Sequence, residues 1–354
     1  MAPATPDQML NTSWTLHRLS PLHHEKEFQS LLDNPEALKT YANRLRDQLT
    51  GNVLAGFQVG TSAPSTEEDT LSRTGALKDC TWEAILSLSL EDPNGPYPES
   101  PCGILVVLEY ENITYKAALL APPAEGSHSR KTSTYLPLLL TRLPASLRQT
   151  FISFLSANFD TYCSALRLPS QFLCAGLASY VDALAQGRDG ESATSRATLE
   201  DVVKEIQITV SFSANVAPAL RSLNINIPRG SIKSFLPATG DSDQPSGSIL
   251  SGLSSYIEKH LAMDLDLAGS SAGGSLARKY VRISKIACNG FALGAEGKMK
   301  LVAQPTRPSS INDDSAENDD VVWNEKKRLA LRASEVLLLS VIRRSLVGGE
   351  NQES

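Results

Sequence analysis

Three places in this chain carry side chains whose types and spacing could do chemistry. The first is Gly269-Ser270-Ser271-Ala272-Gly273, which satisfies the G-x-S-x-G pattern of a nucleophile elbow. That motif activates its serine only where a strand runs in, a helix runs out and a histidine follows along the chain. Here it lies in the low-complexity run AGSSAGGS, and the last histidine, His260, precedes it. A serine hydrolase using Ser271 is therefore a remote alternative. The second place is His23-His24-Glu25, which could bind a metal, although a solvated polar turn explains it more simply. The third is electrostatic. Residues 276–302 hold Arg278, Lys279, Arg282, Lys285, Lys298 and Lys300 against one acid, Glu296, in a chain whose net charge is −6.

The cationic stretch alternates. In KYVRISK, Val281 and Ile283 face one way while Tyr280, Arg282 and Ser284 face the other. In GKMKLV, Met299 and Leu301 oppose Lys298 and Lys300. If these two strands pair, Arg282, Lys298 and Lys300 share one wet face, suited to holding a phosphate backbone without reading its sequence. An ordinary solvated sheet face is the alternative. No Walker loop, dinucleotide fingerprint, HExxH or EF-hand accompanies it. Cys80, Cys102, Cys163, Cys174 and Cys288 are dispersed without CxxC spacing and read as small buried apolar residues. No metal and no cofactor is expected.

The elements that must position these residues are legible from periodicity. With 354 residues the chain has room for two domains, and 41% hydrophobic residues with 20% charged ones are ordinary for a globular protein. No run reaches the roughly 18 apolar residues of a membrane span. MAPATPDQML lacks a basic start and an apolar core, so cytosol or nucleus is expected.

SWTLHRL reads as a strand stopped by Ser20-Pro21, with Trp14 as a large apolar anchor. Asn34 to Gly51 reads as a helix, with Asn34 the N-cap, Pro35 its first residue, Leu38, Tyr41, Leu45 and Leu49 its stripe, and Gly51 its stop. VLAGFQV is an expected strand, followed by a polar loop from Gly60 to Lys78. WEAILSLSL, GILVVLEY and ITYKAALLA then form an expected antiparallel meander, the last two joined at Glu111-Asn112.

From Tyr135 to Leu184 the pattern is helical, with Phe151, Phe154, Leu155, Phe159 and Tyr162 as a packing stripe. The linker from Ala185 to Thr198 divides domains 1–190 and 191–354. Beyond it come the strands EIQITVSFS and SLNINIP, a helix carrying Leu250, Leu253, Ile257 and Leu261, and the basic strands with extended GFAL between them. A loop from Gln304 to Asp320 precedes a closing amphipathic helix from Val321, expected to dock on the sheet. Clustered strands and helices, rather than strict βαβ alternation, indicate an α+β fold with mainly antiparallel sheets.

Several blocks, in this order, resemble the centromere protein L family of the inner kinetochore, and the composition suits its fungal branch. SWTLHRLSPL is similar to that family's Trp-Thr-Leu strand and Ser/Thr-Pro-Leu turn. YLPLLLTRLP with FISFLSANFDTYCSALRL is similar to its Leu-Pro-Leu segment and aromatic helix, and IQITVSFS to the strand opening its second domain. LARKYVRISKIA and EGKMKLV resemble its basic strand pair.

The resemblance implies a nuclear scaffold at the centromere, without catalysis. It implies pairing with a centromere protein N homologue through the C-terminal sheet, or with a second copy as a homodimer, and contact with other inner-kinetochore subunits. It also carries a DNA-backbone role onto Lys279, Arg282, Lys298 and Lys300. A self-associating interaction protein without DNA binding is the competing expectation.

Overall fold

The structure, a computed structural model, describes residues 4–24, 27–54, 74–91, 101–123, 129–130, 133–185, 202–215, 219–232, 235, 249–263, 265–267, 280–302 and 316–347. Its elements run β1 (Ser13–Leu19), β2 (Leu22–His23), α1 (Pro35–Leu54), β3 (Leu77–Ile85), β4 (Gly103–Tyr110), β5 (Thr114–Leu120), β6 (Ser129–Arg130) and β7 (Ser133–Thr134). Then come β8 (Leu138–Arg142), α2 (Ala145–Phe159), β9 (Cys163–Ala165), α3 (Ser170–Ala185), β10 (Ile206–Phe212) and β11 (Ser222–Ile227). Last are α4 (Arg229–Ile232), α5 (Ile249–Leu261), β12 (Val281–Ala287), β13 (Phe291–Gly294), β14 (Lys298–Leu301) and α6 (Ala316–Leu346). The fold is α+β with mostly antiparallel sheet, as expected.

The chain divides into two compact units. The first comprises Met1–Gln8, Trp14–Leu166 and Val341–Ser354; the second comprises Met9–Ser13 and Arg167–Ser340.

In the first unit β8, β5, β4 and β3 follow one another from β1, which also pairs with β9. The β3–β4–β5 meander is as expected, with Tyr110 N–H closing on the Ile113 carbonyl at 3.0 Å across the Glu111-Asn112 turn. Asn34 caps α1, its Oδ1 accepting the N–H groups of Glu36 and Ala37 at 3.1 and 3.2 Å. Leu38, Tyr41, Leu45 and Leu49 are all buried. The core gathers on Trp82 of β3, whose ring lies 6.1–6.4 Å from those of Tyr41, Phe151, Phe154 and Phe159. Tyr41 and Phe159 close the cluster at 4.4 Å.

Several expected boundaries move. Helix α1 runs through Gly51 to Leu54, so Gly51 is no stop; a Cβ there would meet nothing within 4 Å. The strand expected at WEAILSLSL begins earlier, at Leu77, and ends at Ile85, after which Leu88 and Leu90 are buried without sheet pairing. The stretch from Tyr135 to Leu184 is not all helical. It contains β8 and β9, because LLL fills a strand buried on both faces as readily as a helix. Tyr162, placed in the aromatic stripe, is 73% exposed: α2 stops at Phe159, where Asp160 turns left-handed with φ 46°. Leu261 is likewise exposed at the end of α5. Helix α6 starts at Ala316, inside the stretch expected as loop. VLAGFQV beyond Leu54, the linker beyond Ala185 and residues 303–315 lie outside the described residues.

Strand β1 is buried on both faces: Trp14 and Leu16 on one, His17 and Leu19 on the other. At its end Thr161 Oγ1 donates to the Ser20 carbonyl, and Ser20 Oγ accepts the Tyr162 N–H, both at 2.8 Å. His17 Nε2 lies 3.2 Å from Thr141 Oγ1. Burial, then the charge of Arg148, lowers its pKa to about 4.

Trp14 is 1% exposed, and Trp14→Ala should cost about 3–5 kcal/mol, read as a lower urea midpoint. His17 stays neutral in the fold while the unfolded chain takes up a proton near pH 6.5. Its contribution is therefore full above that pH and is lost as pH falls toward 4. His17→Gln should flatten the fall in stability between pH 6.5 and about 5, followed by denaturation at each pH.

Candidate nucleic-acid interface

The second unit's strands lie in the order β11-β10-β12-β13-β14. Ile208, Ile225, Ile283, Ile286, Leu293 and Met299 face inward, and α3 packs on β12. Gly176 of α3 permits close packing: a Cβ there would lie 3.2 Å from both Leu293 of β13 and Leu337 of α6. Helix α6 buries Leu329, Ala330, Ala333, Leu337 and Leu338 at helical spacing, with Leu337 lying against α3 at Gly176. Gly290, between β12 and β13, sits under the Tyr180 ring and has no room for a side chain, since a Cβ would overlap the Tyr180 hydroxyl.

The two basic strands do not pair with each other. Each pairs with β13, the GFAL segment, which lies between them. Directly opposed residues of neighbouring strands point to the same face, so the outer face can be read in rows. One row runs Asn226, Gln207, Ala287, Ala292, Lys300. The next runs Asn224, Thr209, Lys285, Gly294, Lys298. The third runs Ser222, Ser211, Arg282. No carboxylate and no aromatic ring occupies any of these positions.

Arg282, Lys298 and Lys300 thus share a wet face, and all three are exposed. None makes an ion pair with a described carboxylate. Lys298 and Lys300 stand about 7 Å apart along β14. Lys279, the fourth expected cation, lies outside the described residues.

Lys285 is the cation that alternation misplaces. Strict period two would carry it to the Val281–Ile283 side and turn Ile286 into water. Instead Thr209 opposes Lys285 while Val210 opposes Ile283, leaving Ser284 as an inserted residue. This β-bulge resets the phase, so Ile283 and Ile286 are both buried while Arg282 and Lys285 are both exposed. The bulge is held by hydrogen bonds. Ser170 Oγ, at the start of α3, accepts the Ile283 N–H at 3.1 Å and donates to its carbonyl at 3.4 Å. Ser284 Oγ donates to the Thr209 carbonyl at 3.1 Å, and its own carbonyl accepts the Ala295 N–H at 2.8 Å. Nothing in the local sequence marks Ser170 as their partner, since it lies 113 residues away.

The other candidate chemistry falls only partly on described residues. Ser271 lies outside the described residues, and His260 is exposed, its ring tilted against that of Tyr256 with centroids 4.3 Å apart. His24 is buried rather than solvated: its Nδ1 donates to the Phe28 carbonyl at 2.8 Å, and its Nε2 lies 2.9 Å from Thr134 Oγ1. Among the described residues no cluster of His, Cys, Asp or Glu is arranged to hold a metal, and no helix is long and apolar enough to cross a membrane. Cys80, Cys102 and Cys174 are buried, whereas Cys163 and Cys288 are only partly so. Burial, then Asp79, pushes the Cys80 thiol up to about 12.

The sequence profile of the centromere protein L family matches residues 8–346. The chain belongs to that family. Membership gives it a kinetochore-related role and a centromeric location, in a family of structural proteins with inner-kinetochore partners. Comparison with curated proteins finds no match.

Ser170→Ala would leave the Ile283 N–H and carbonyl unsatisfied. A stability loss of about 1–3 kcal/mol is expected, whereas Ser170→Thr, which keeps the hydroxyl, should lose little, both measured by chemical denaturation.

Proposed function

We propose that this centromere protein L family member is a non-enzymatic inner-kinetochore scaffold in the nucleus, whose second unit contacts the phosphate backbone of centromeric DNA. The observation that carries this reading is the outer face bearing Arg282, Lys298 and Lys300, whose paired strand positions hold no carboxylate, Glu296 lying in the turn between β13 and β14. Lys298 and Lys300, about 7 Å apart, lie within the roughly 8 Å Debye length at physiological salt, so their potentials add. Phosphate contacts of this kind position a protein on a duplex without reading its sequence. Lys279 belongs to the proposed set through the family resemblance alone.

Partner binding is assigned to the same sheet. Strand β11 pairs only with β10 among the described residues. The Phe212–Arg221 hydrogen bond sets the alternation, so Ser222, Asn224 and Asn226 turn their backbone N–H and carbonyl groups away from β10. Such an edge accepts an added strand. The occupant we assign is a centromere protein N homologue. Homodimerisation through the same edge, without DNA contact, is the second reading that this feature favours.

Domains 1–190 and 191–354 remain a proposal about pieces that fold alone. The linker composition supports that division, while the packing of α3 on β12 favours a cut nearer residue 167. Limited proteolysis separates the two.

The DNA reading is tested by mobility shift across a salt series. Alanine at Arg282, Lys298 and Lys300 together should reduce the salt slope by about 2–3 and abolish most of the shift at physiological salt. Unchanged salt-sensitive binding would reject the face. The edge is tested by Asn224→Pro, which removes an outward N–H and the exposed side-chain bond from Thr209 but spares the backbone bonds to β10. Co-purification with the centromere protein N homologue should be lost while the melting temperature stays near that of the parent. Retained pairing would exclude β11.

A further inference from the structure

We infer that Lys285 is a further backbone-contacting cation and forms, with Lys298 across Gly294, a seat for one phosphate; this rests on the DNA reading above. Lys285, Gly294 and Lys298 are directly opposed on β12, β13 and β14, so all three project from the same row. The two lysine stems stand about 10 Å apart, two strand spacings, and each ends in an ammonium on four flexible carbons. The residue between them has no side chain. A Cβ built on Gly294 would make only ordinary contacts, the nearest with Lys298 Cβ at 3.6 Å, so a side chain would fit there and none is present to screen the two stems from each other.

The tether on Lys285 is weak. Its Nζ lies 3.5 Å from Gln207 Oε1, a neutral acceptor that a phosphate oxygen readily replaces. The bulge at Ser284 that brings Lys285 outward carries a backbone irregularity, and a serine from a distant helix satisfies it. Plain alternation would have left this face with one cation fewer.

Binding of the full-length chain to a 20-base-pair duplex of mixed sequence, read by fluorescence anisotropy across a salt series, tests the seat. Lys285→Ala should lower the slope of log affinity against log salt by about 1, with Lys285→Arg restoring it. Gly294→Glu should weaken binding further, because it sets a carboxylate between the two ammonium groups. Both changes are on the exposed face, and an unchanged circular dichroism melt confirms that the fold is kept. If Lys285→Ala and Gly294→Glu bind like the parent while the Arg282, Lys298 and Lys300 variant loses binding, the seat is overturned and the face survives. If that triple variant also binds like the parent, both fall together.

Discussion

A β-strand turns alternate residues to opposite faces, so one inserted residue reverses the facing of everything beyond it. The second unit depends on that constraint. The stretch VRISKIA must bury both Ile283 and Ile286, which are three positions apart and cannot share a face in a regular strand. Its solution is the bulge at Ser284. Burial of two isoleucines drives the irregularity, worth about 1.5–3 kcal/mol for each side chain removed from water. The exposed cations follow as a consequence of that packing.

The same structure shows how irregular backbone is accommodated. Three departures from regular elements are met by polar side chains. Ser170 serves the bulge, Asn34 the start of α1, and Ser20 with Thr161 the proline corner after β1. Arg18 of β1 donates to the carbonyl of Val347, just past the last turn of α6, where a cation also suits the helix dipole. His24 pins a loop to Thr134 in the same manner. Apart from the local Asn34 cap and the Phe28 bond of His24, these contacts join residues far apart in the chain, which gives short elements a definite register.

Electrostatics separates the whole from the part. The chain is acidic, with 39 Asp and Glu against 33 Lys and Arg, so its overall field does not attract a polyanion. At physiological salt, charges beyond about 8 Å are screened, and a local face with no carboxylate sets its own potential. The Asn, Gln, Thr and Ser residues on β10 and β11 extend that face with neutral hydrogen-bonding groups. Lacking aromatic rings for base stacking, it suits a backbone better than splayed single-stranded bases.

Much of this was written in local pattern. The capped start of α1, the β3–β4–β5 meander, the strands of the second unit and the cationic character of β12 and β14 all follow from periodicity and turn chemistry over a few residues. The family likeness is carried by blocks of the same kind. LLLTR was ambiguous because a strand buried on both faces has no alternation to betray it, and Tyr162 went to the outside because the helix ended three residues before it.

What sequence determined alone was which residues are apolar, charged or turn-forming, and hence most elements and the sign of the face. Tertiary structure decided that β13 stands between the basic strands, that Lys285 points outward and that Ser170 holds it there. Those facts rest on contacts across as many as 113 residues, where burial and hydrogen-bond satisfaction outweigh local periodicity.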